Sequence, residues 1–395
     1  MRLVVKFGGT SLGSGDRIDR AADSIARAVK DGHEVAVVAS AMGNTTDELL
    51  DEINFDASAS DRAEIVSMGE RTSVRMLKAA LVARDINARF LEPGHPDWPI
   101  ITDDHGEVNV EVTKERAARL ADTLSDEVPV ITGFLAETES GSVTTLGRGG
   151  SDTTGVMLGN YMNADEAIIV TDVEGVMTGD PRVVEGARNV GKISVDELRS
   201  LSFRGAEVVA PSALSYKSAT LAVRVVHYQQ GDLLTGGTRI EGEFRNLIDL
   251  KEQPVASLTV AGRAIRNQKG ILAKLSDQLA SQDINIEGVA SGMDSITFYV
   301  DEENAKRAET VLHGAVVSDD VLSSITLEDG VATVRIVGGE LPNRPGVIQH
   351  IINPLSDEHI KIHDIITSAT SISLFVDWEE GENALRIVQE VFEEA

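Results

Sequence analysis

Cysteine is absent from the 395 residues, which excludes disulfides and thiolate metal sites and fits a reducing compartment. Basic residues are scarce: 36 Lys and Arg stand against 64 Asp and Glu, a formal net charge of −28. Such a surface repels nucleic acid, so a DNA- or RNA-binding role is disfavoured. No apolar run is long enough to span a bilayer, and no apolar signal region follows a basic start. The expected location is therefore the cytoplasm, with no membrane partner. Charge of this size opposes compaction in dilute buffer, whereas a few molar salt screens it within about 3 Å. Adaptation to a high-salt cytoplasm is the expectation that follows. The 42% of hydrophobic residues is ample for the cores of two or three domains.

What is present begins at the first strand. Leu3, Val4 and Val5 form an apolar run that ends in Lys6-Phe7-Gly8-Gly9, a lysine at a strand mouth followed by bare backbone. Glycine amides approach phosphate oxygens without an intervening side chain, and an ammonium adds a point charge for a transferred phosphoryl group. On its own the pair is equally a tight strand-to-helix turn. A second glycine loop tips the balance: Thr144-Thr145-Leu146-Gly147-Arg148-Gly149-Gly150-Ser151-Asp152, entering a helix at Thr153. Its amides favour an anion, Arg148 offers a bidentate fork for a carboxylate, and Asp152 can orient a lysine or a metal. A third cluster, Thr171 to Arg182, follows an apolar run ending at Val170. Thr171 and Asp172 suit a nucleotide's sugar or phosphates, Arg182 suits phosphate oxygens, and Asp180-Pro181 reads as a turn.

Up to about Ile240 short apolar runs alternate with helical stretches. Asp16 is expected to cap a helix through Ala28, Ser60 or Asp61 to open another through Val82, and Val35 to Ala39, Val128 to Phe134, Ala167 to Thr171 and Val223 to His227 to be buried strands. This pattern implies an α/β fold, a mostly parallel sheet sandwiched by helices, with ligands beyond the strands' carboxyl ends. After Ile240 a βαββα pattern occurs twice, the copies marked by turns at Asn267-Gln268-Lys269-Gly270 and Asn343-Arg344-Pro345-Gly346. Agreement of two segments in order and turn chemistry signals paired small modules. In the first copy Ile284 to Val289 is expected to be a strand. His350, His359 and His363 lie in the second copy without metal-site spacing.

Lys6-Phe7-Gly8-Gly9-Thr10-Ser11, the Leu146 to Asp152 loop and the Thr171 to Arg182 run, in that order and followed by paired modules, resemble the aspartate kinase (aspartokinase) family. The first two strings are highly specific, and the resemblance covers essentially the whole chain. It implies an amino-acid-kinase catalytic domain over 1–241 and two βαββαβ, ferredoxin-like ACT domains, over 255–328 and over 244–252 plus 329–395. It further implies that Lys6 stabilises the transferring phosphoryl, with Gly8 and Gly9 supplying amides and Asp152 organising the site. L-aspartate would be held by Ser40, Thr46, Glu70, Arg148 and Ser151, and ATP by Lys6, Gly8, Gly9, Thr171, Asp172 and Arg182. Mg²⁺ is implied on the ATP phosphates with no protein ligand assigned. Met177 stands where relatives often have Tyr, and Gly231 where some have Lys.

The implied reaction is transfer of the γ-phosphoryl of ATP to the side-chain carboxylate, giving 4-phospho-L-aspartate on the way to lysine, threonine and methionine. An inhibitory amino acid, lysine or threonine, would bind the ACT modules near Asn267, Gly270, Ile271, Asn285, Ile286, Asn343 and Gly346, and these modules would join the chain into a homodimer or higher oligomer. Glu70 sits inside an apolar helix, where a lone acid is costly without a cation. The rival readings are a sister kinase acting on glutamate, acetylglutamate or a nucleoside monophosphate, and an amino-acid sensor with a lapsed kinase site.

Overall fold

In the computed structural model residues 1–103, 106–202, 208–243, 245–263, 265–338, 346–368 and 370–393 are described. They form two compact units, Met1–Phe244 and Arg245–Ala395. The strands of the first unit are β1 (Arg2–Phe7), β2 (Glu34–Ala39), β3 (Ala88–Leu91), β4 (Ile101–Thr102), β5 (Val128–Thr132), β6 (Leu135–Thr138), β7 (Val143–Thr145), β8 (Glu166–Thr171), β9 (Lys192–Ser194), β10 (Ala222–His227) and β11 (Thr238–Glu241). Eight of them make one sheet in the order β3-β5-β2-β1-β8-β10-β11-β9, and β4-β6-β7 make a small separate one. Every pairing in the large sheet is parallel except β10 with β11.

The helices are α1 (Gly15–Lys30), α2 (Thr45–Glu52), α3 (Ala59–Val82), α4 (Val110–Ala121), α5 (Gly150–Tyr161), α6 (Val195–Ser202) and α7 (Pro211–Leu214). Strand alternation fixes which layer each covers. Leu3, Val5 and Phe7 of β1 enter one core with Ile18, Ile25, Leu77 and Leu81 of α1 and α3. Val4 enters the other with Val156, Met157 and Leu158 of α5. Ser14 caps α1, accepting from the Arg17 amide, and Ser58 caps α3, accepting from Asp61. Both helices thus start before the expected Asp16 and Ser60, because the serine hydroxyl sits one turn ahead of the amide it matches. Strand β5 ends at Thr132, short of Phe134, whose backbone is left-handed at φ 68°.

The second unit contains β12 (Leu247–Leu250), β13 (Val255–Gly262), α8 (Ile271–Ala280), β14 (Gly288–Ser291), β15 (Ser295–Asp301), α9 (Ala305–Val317), β16 (Leu322–Val337), α10 (Val347–Asp357), β17 (Ile362–Thr367), β18 (Ser371–Asp377) and α11 (Gly381–Glu393). These are two βαββα copies fused through one long strand. The first part of β16 pairs with β13, and its second part pairs with β18 on one side and β12 on the other. A boundary at 328/329 therefore falls inside a continuous strand, at the register shift opposite Val255 to Ser257. The strand expected over Ile284 to Val289 begins only at Gly288; Asp283 just ahead has φ 55°.

Each copy has its own helix-covered core. Between them Tyr299 stacks on Phe375 at 3.7 Å and donates to Asp364 Oδ2 at 2.5 Å. His363, the extra residue in the bulge between Ile362 and Asp364, is half-buried between Asp377 at 2.8 Å and Glu328 at 3.5 Å.

Candidate active site

Phosphate chemistry needs a cation held at a strand exit, and β1 provides it by parity. Lys6 shares the face of Val4, so its side chain runs toward α5 and is 9% exposed. Its Nζ lies 2.5 Å from Asp152 Oδ1, an ion pair whose angle falls outside hydrogen-bond geometry. The other carboxylate oxygen of Asp152 accepts from the Ala210 amide at 3.1 Å. Packing sets the lysine's course: a Cβ on Gly155 would stand 2.9 Å from Lys6 Cβ, closer than carbon atoms approach. Gly155→Ala is expected to displace the ammonium and lower turnover by up to about a hundredfold, the sensitivity of positioned groups to an ångström of misplacement. Wild-type turnover in that variant, with an unchanged circular dichroism spectrum, would show that α5 retreats without moving Lys6.

The glycine loop of Arg148 leaves the β6–β7 hairpin, where the Leu146 amide donates to the Phe134 carbonyl at 2.8 Å. Gly149 adopts φ 73° as the residue preceding α5, and a Cβ there would meet Ala210 Cβ at 2.3 Å. Helix α5 thus begins at Gly150 rather than Thr153. Ser151 and Asp152 occupy its first turn, where the Gly150, Asp152 and Thr153 amides donate to the Gly147 and Gly149 carbonyls and the helix dipole favours an anion.

Ser40 directly follows β2, and Thr46 lies in the first turn of α2. Glu70 of α3 is 3% exposed. Its Oε1 accepts from the Ala41 amide at 3.2 Å, and its Oε2 has no hydrogen-bond partner among the described residues. Burial pushes its pKa from the ordinary 4.5 up to about 7, opposed by its own backbone amide, the Ala41 amide and the Thr46 side chain. A buried carboxylate with one oxygen unmatched is a receptor for a cation.

These groups share one cavity of about 940 Å³: Lys6, Gly9, Ser40, Thr46, Glu70, Arg148, Ser151 and Asp152 all line it. Asp47, Arg62, Phe134 and Thr145 line it too and were not anticipated. Arg62 lies eight residues before Glu70 on α3, about 80° round the helix, so the helical period did not mark it. Lys6 and Arg148, far apart in sequence, thus meet on one wall.

Gly8 is not on that wall. Its amide donates to the Val170 carbonyl at 2.9 Å, so it anchors the turn rather than offering an open donor, and it is Gly9 that lines the cavity. Thr171 and Asp172 also lie off the cavity. Because Val170 stands beside Phe7 in the parallel register, they leave the sheet next to Gly8, and the Thr171 hydroxyl donates to Asp172 Oδ1 at 3.3 Å. Arg182 is not brought to either group: its side chain is 88% exposed and forks onto Asp180. Gly231, with φ 67°, accepts at its carbonyl from Arg27 at 3.1 Å.

In the second unit Gly270 and Ile271 line a cavity of about 600 Å³ with Gln268, Ser291 and Met293. Asn267 sits in the preceding 3₁₀ turn, Asn285 donates to Glu287 at 2.8 Å, and Ile286 packs on the first copy's core. Gly346 precedes α10 at φ 86°. Asn343 lies outside the described residues.

Residues 1–227 match the model of the amino acid kinase family, and residues 258–316 and 326–390 match ACT domain models. The aspartokinase of Corynebacterium glutamicum is 32% identical over 100% of this chain and 96% of its own length. Aspartokinase 2 of Bacillus subtilis is 33% identical over 99% of this chain and 97% of its own. The crystal structure of aspartate kinase from Synechocystis superposes with a TM-score of 0.85 at 27% identity, covering 100% of this chain and 69% of that one. The family models and these relatives agree over the whole chain: it belongs to the amino acid kinase family, among its aspartokinases.

Proposed function

We propose that this chain transfers the γ-phosphoryl of ATP to the side-chain carboxylate of L-aspartate, giving 4-phospho-L-aspartate. One observation carries the reading: Lys6, Glu70 and Arg148 line a single cavity, a cation for the phosphoryl, a buried acid for an ammonium and a fork for a carboxylate. Glu70 binds the α-ammonium, Arg148 with Ser151 binds the α-carboxylate, and Ser40 and Thr46 complete the polar wall. The remaining carboxylate then faces Lys6. No general base is needed, because the carboxylate is already a nucleophile at neutral pH; the site contributes position and charge. Lys6 neutralises charge on the phosphoryl as the Asp152 ion pair yields to it.

ATP occupies the neighbouring exits of β1 and β8, with Gly9, Thr171 and Asp172 along its phosphates and sugar. Among the described residues no His, Asp and Glu trio suited to a cation lies at this cavity. Mg²⁺ is assigned to the ATP phosphates, where it would neutralise charge that Lys6 alone leaves exposed. The test is ATP consumption with aspartate, glutamate and acetylglutamate side by side. Aspartate is expected to be used preferentially; preference for either rival would overturn the reading.

The catalytic unit is assigned to 1–241 and the two ACT modules to 255–328 and to 244–252 plus 329–395. These modules hold a homodimer or higher oligomer together and bind an end-product effector, lysine or threonine, the cavity at Gly270 and Ile271 being the better-formed candidate. Among the described residues no helix is long and apolar enough to cross a membrane; the cytoplasm, and the lysine, threonine and methionine route, are the setting we assign to the enzyme. The charge of −28 supports a high-salt cytoplasm: melting temperature and activity are expected to climb from dilute buffer to molar KCl. A maximum in dilute buffer would refute that adaptation.

A further inference from the structure

We infer that Arg62 is a second carboxylate-binding residue of the catalytic cavity, engaging the α-carboxylate of the amino-acid substrate when the α2–α3 hairpin closes over it; this rests on the function proposed above. The first support is charge. Acids outnumber bases by 64 to 36 in this chain, and several of its arginines are claimed by carboxylates, as Arg75 is by Glu92, Arg84 by Asp19 and Asp23, and Arg89 by Glu127. Arg62 and Arg148 both line the cavity, and neither forms an ion pair among the described residues. Arg62 makes one weak contact, from Nε to the Ala57 carbonyl at 3.3 Å, which leaves both terminal nitrogens of its fork open. An arginine unclaimed amid so many acids, on a pocket wall, is placed for an incoming anion.

The second support is mobility. From Gly43 to Arg62 no residue is buried, α2 contributes nothing to the core, and Leu50 and Phe55 are exposed. A segment with so few buried apolar contacts opens and closes at low free-energy cost. Yet it carries Thr46, Asp47, Leu50 and Arg62 onto the cavity wall.

Geometry selects the carboxylate. The reacting carboxylate must face Lys6, so the α-carboxylate lies at the other end of the substrate, and Arg62 reaches the same cavity from the exposed start of α3. Residues 62 and 70 are eight positions apart, roughly 12 Å along the helix, so the long arginine side chain must swing inward, which hairpin closure permits. The cavity, at about 940 Å³, has room for that movement.

Arg62→Gln tests this with aspartate and its α-amide as paired substrates. Because Arg62 is exposed and holds one weak bond, the variant is expected to melt with the wild type. The KM for aspartate should rise about tenfold, the value of a hydrogen bond to a charged group, with kcat and the KM for ATP unchanged. The KM for the α-amide should not differ between wild type and variant. Arg62→Lys should recover little, since an ammonium lacks the fork. An unchanged KM for aspartate, an equal loss with the amide, or a shift confined to ATP would each overturn the inference while leaving the kinase assignment standing. A wild type inert toward aspartate would instead overturn the assignment and the inference together.

Discussion

Replacing Lys6 by Met is expected to cut kcat by about a thousandfold, the upper range for removing one preorganised charge-stabilising donor, while leaving the KM for aspartate essentially unmoved. The asymmetry follows from position. Lys6 is held against Asp152, whereas the groups assigned to the ammonium and the carboxylate, Glu70 and Arg148, stand on other elements. An interaction that strengthens only as charge redistributes on the phosphoryl group shows in turnover and not in substrate affinity. Lys6→Arg should not restore activity, since a Cβ at Gly155 would already crowd the lysine stem and a wider guanidinium has no more room. Removing the ammonium also leaves Asp152 inside the fold without its cation, so the melting temperature should fall. Lys6→Met combined with Asp152→Asn separates the two effects: stability returns while turnover stays low. Near-normal turnover in a folded Lys6→Met protein would remove this residue from the chemistry and, with it, the reading of Lys6-Phe7-Gly8-Gly9 as a phosphoryl site.

That motif was legible because strand parity and glycine geometry are local properties. Val4 and Lys6 share a face by the period of two, and nothing distant alters it. The same holds for the Asn267 to Gly270 turn, after which α8 starts at once at Ile271. Legibility fails where a tertiary partner decides. Gly8 resembles Gly9 in sequence, but the Val170 carbonyl consumes its amide. Arg182 reads as a phosphate ligand until Asp180, two residues away, is seen to take its fork. The β4-β6-β7 sheet escaped notice because its strands are two to four residues long, too short to show a period. The seam between the two modules was read as a break, yet β16 runs through it, since a strand can change partners midway without any change in its own alternation. Glu70 was legible as an anomaly, an acid in an apolar helix; what no sequence states is which of its oxygens would go unmatched.

That anomaly sets the other large effect. Glu70→Gln is expected to raise the KM for aspartate by about 30-fold or more, the lower bound of the 2–5 kcal/mol lost when one partner of a buried charge pair is removed, and at the same time to stabilise the free enzyme. The sign follows from its protonation. Below pH 4.5 the carboxyl is protonated in both folded and unfolded chains and contributes no difference. Between 4.5 and about 7 the folded chain holds a proton that the unfolded chain has lost, so stability falls as pH rises through this window. Above 7 the folded protein carries the full penalty of a buried carboxylate, about 3 kcal/mol for a displacement of this size. Glutamine has no proton to lose, so the variant should match the wild type near pH 4 and exceed it at pH 8. Substrate reverses the balance in the wild type, because an ammonium beside Oε2 favours the ionised form and aspartate should bind more tightly as pH rises through 7. Denaturant titrations of both proteins at pH 5 and pH 8, with and without aspartate, give the comparison. If the gap between variant and wild type does not widen with pH, or if aspartate stabilises Glu70→Gln as strongly as the wild type, then the buried carboxylate does not receive the ammonium, and the stability it forfeits has another cause.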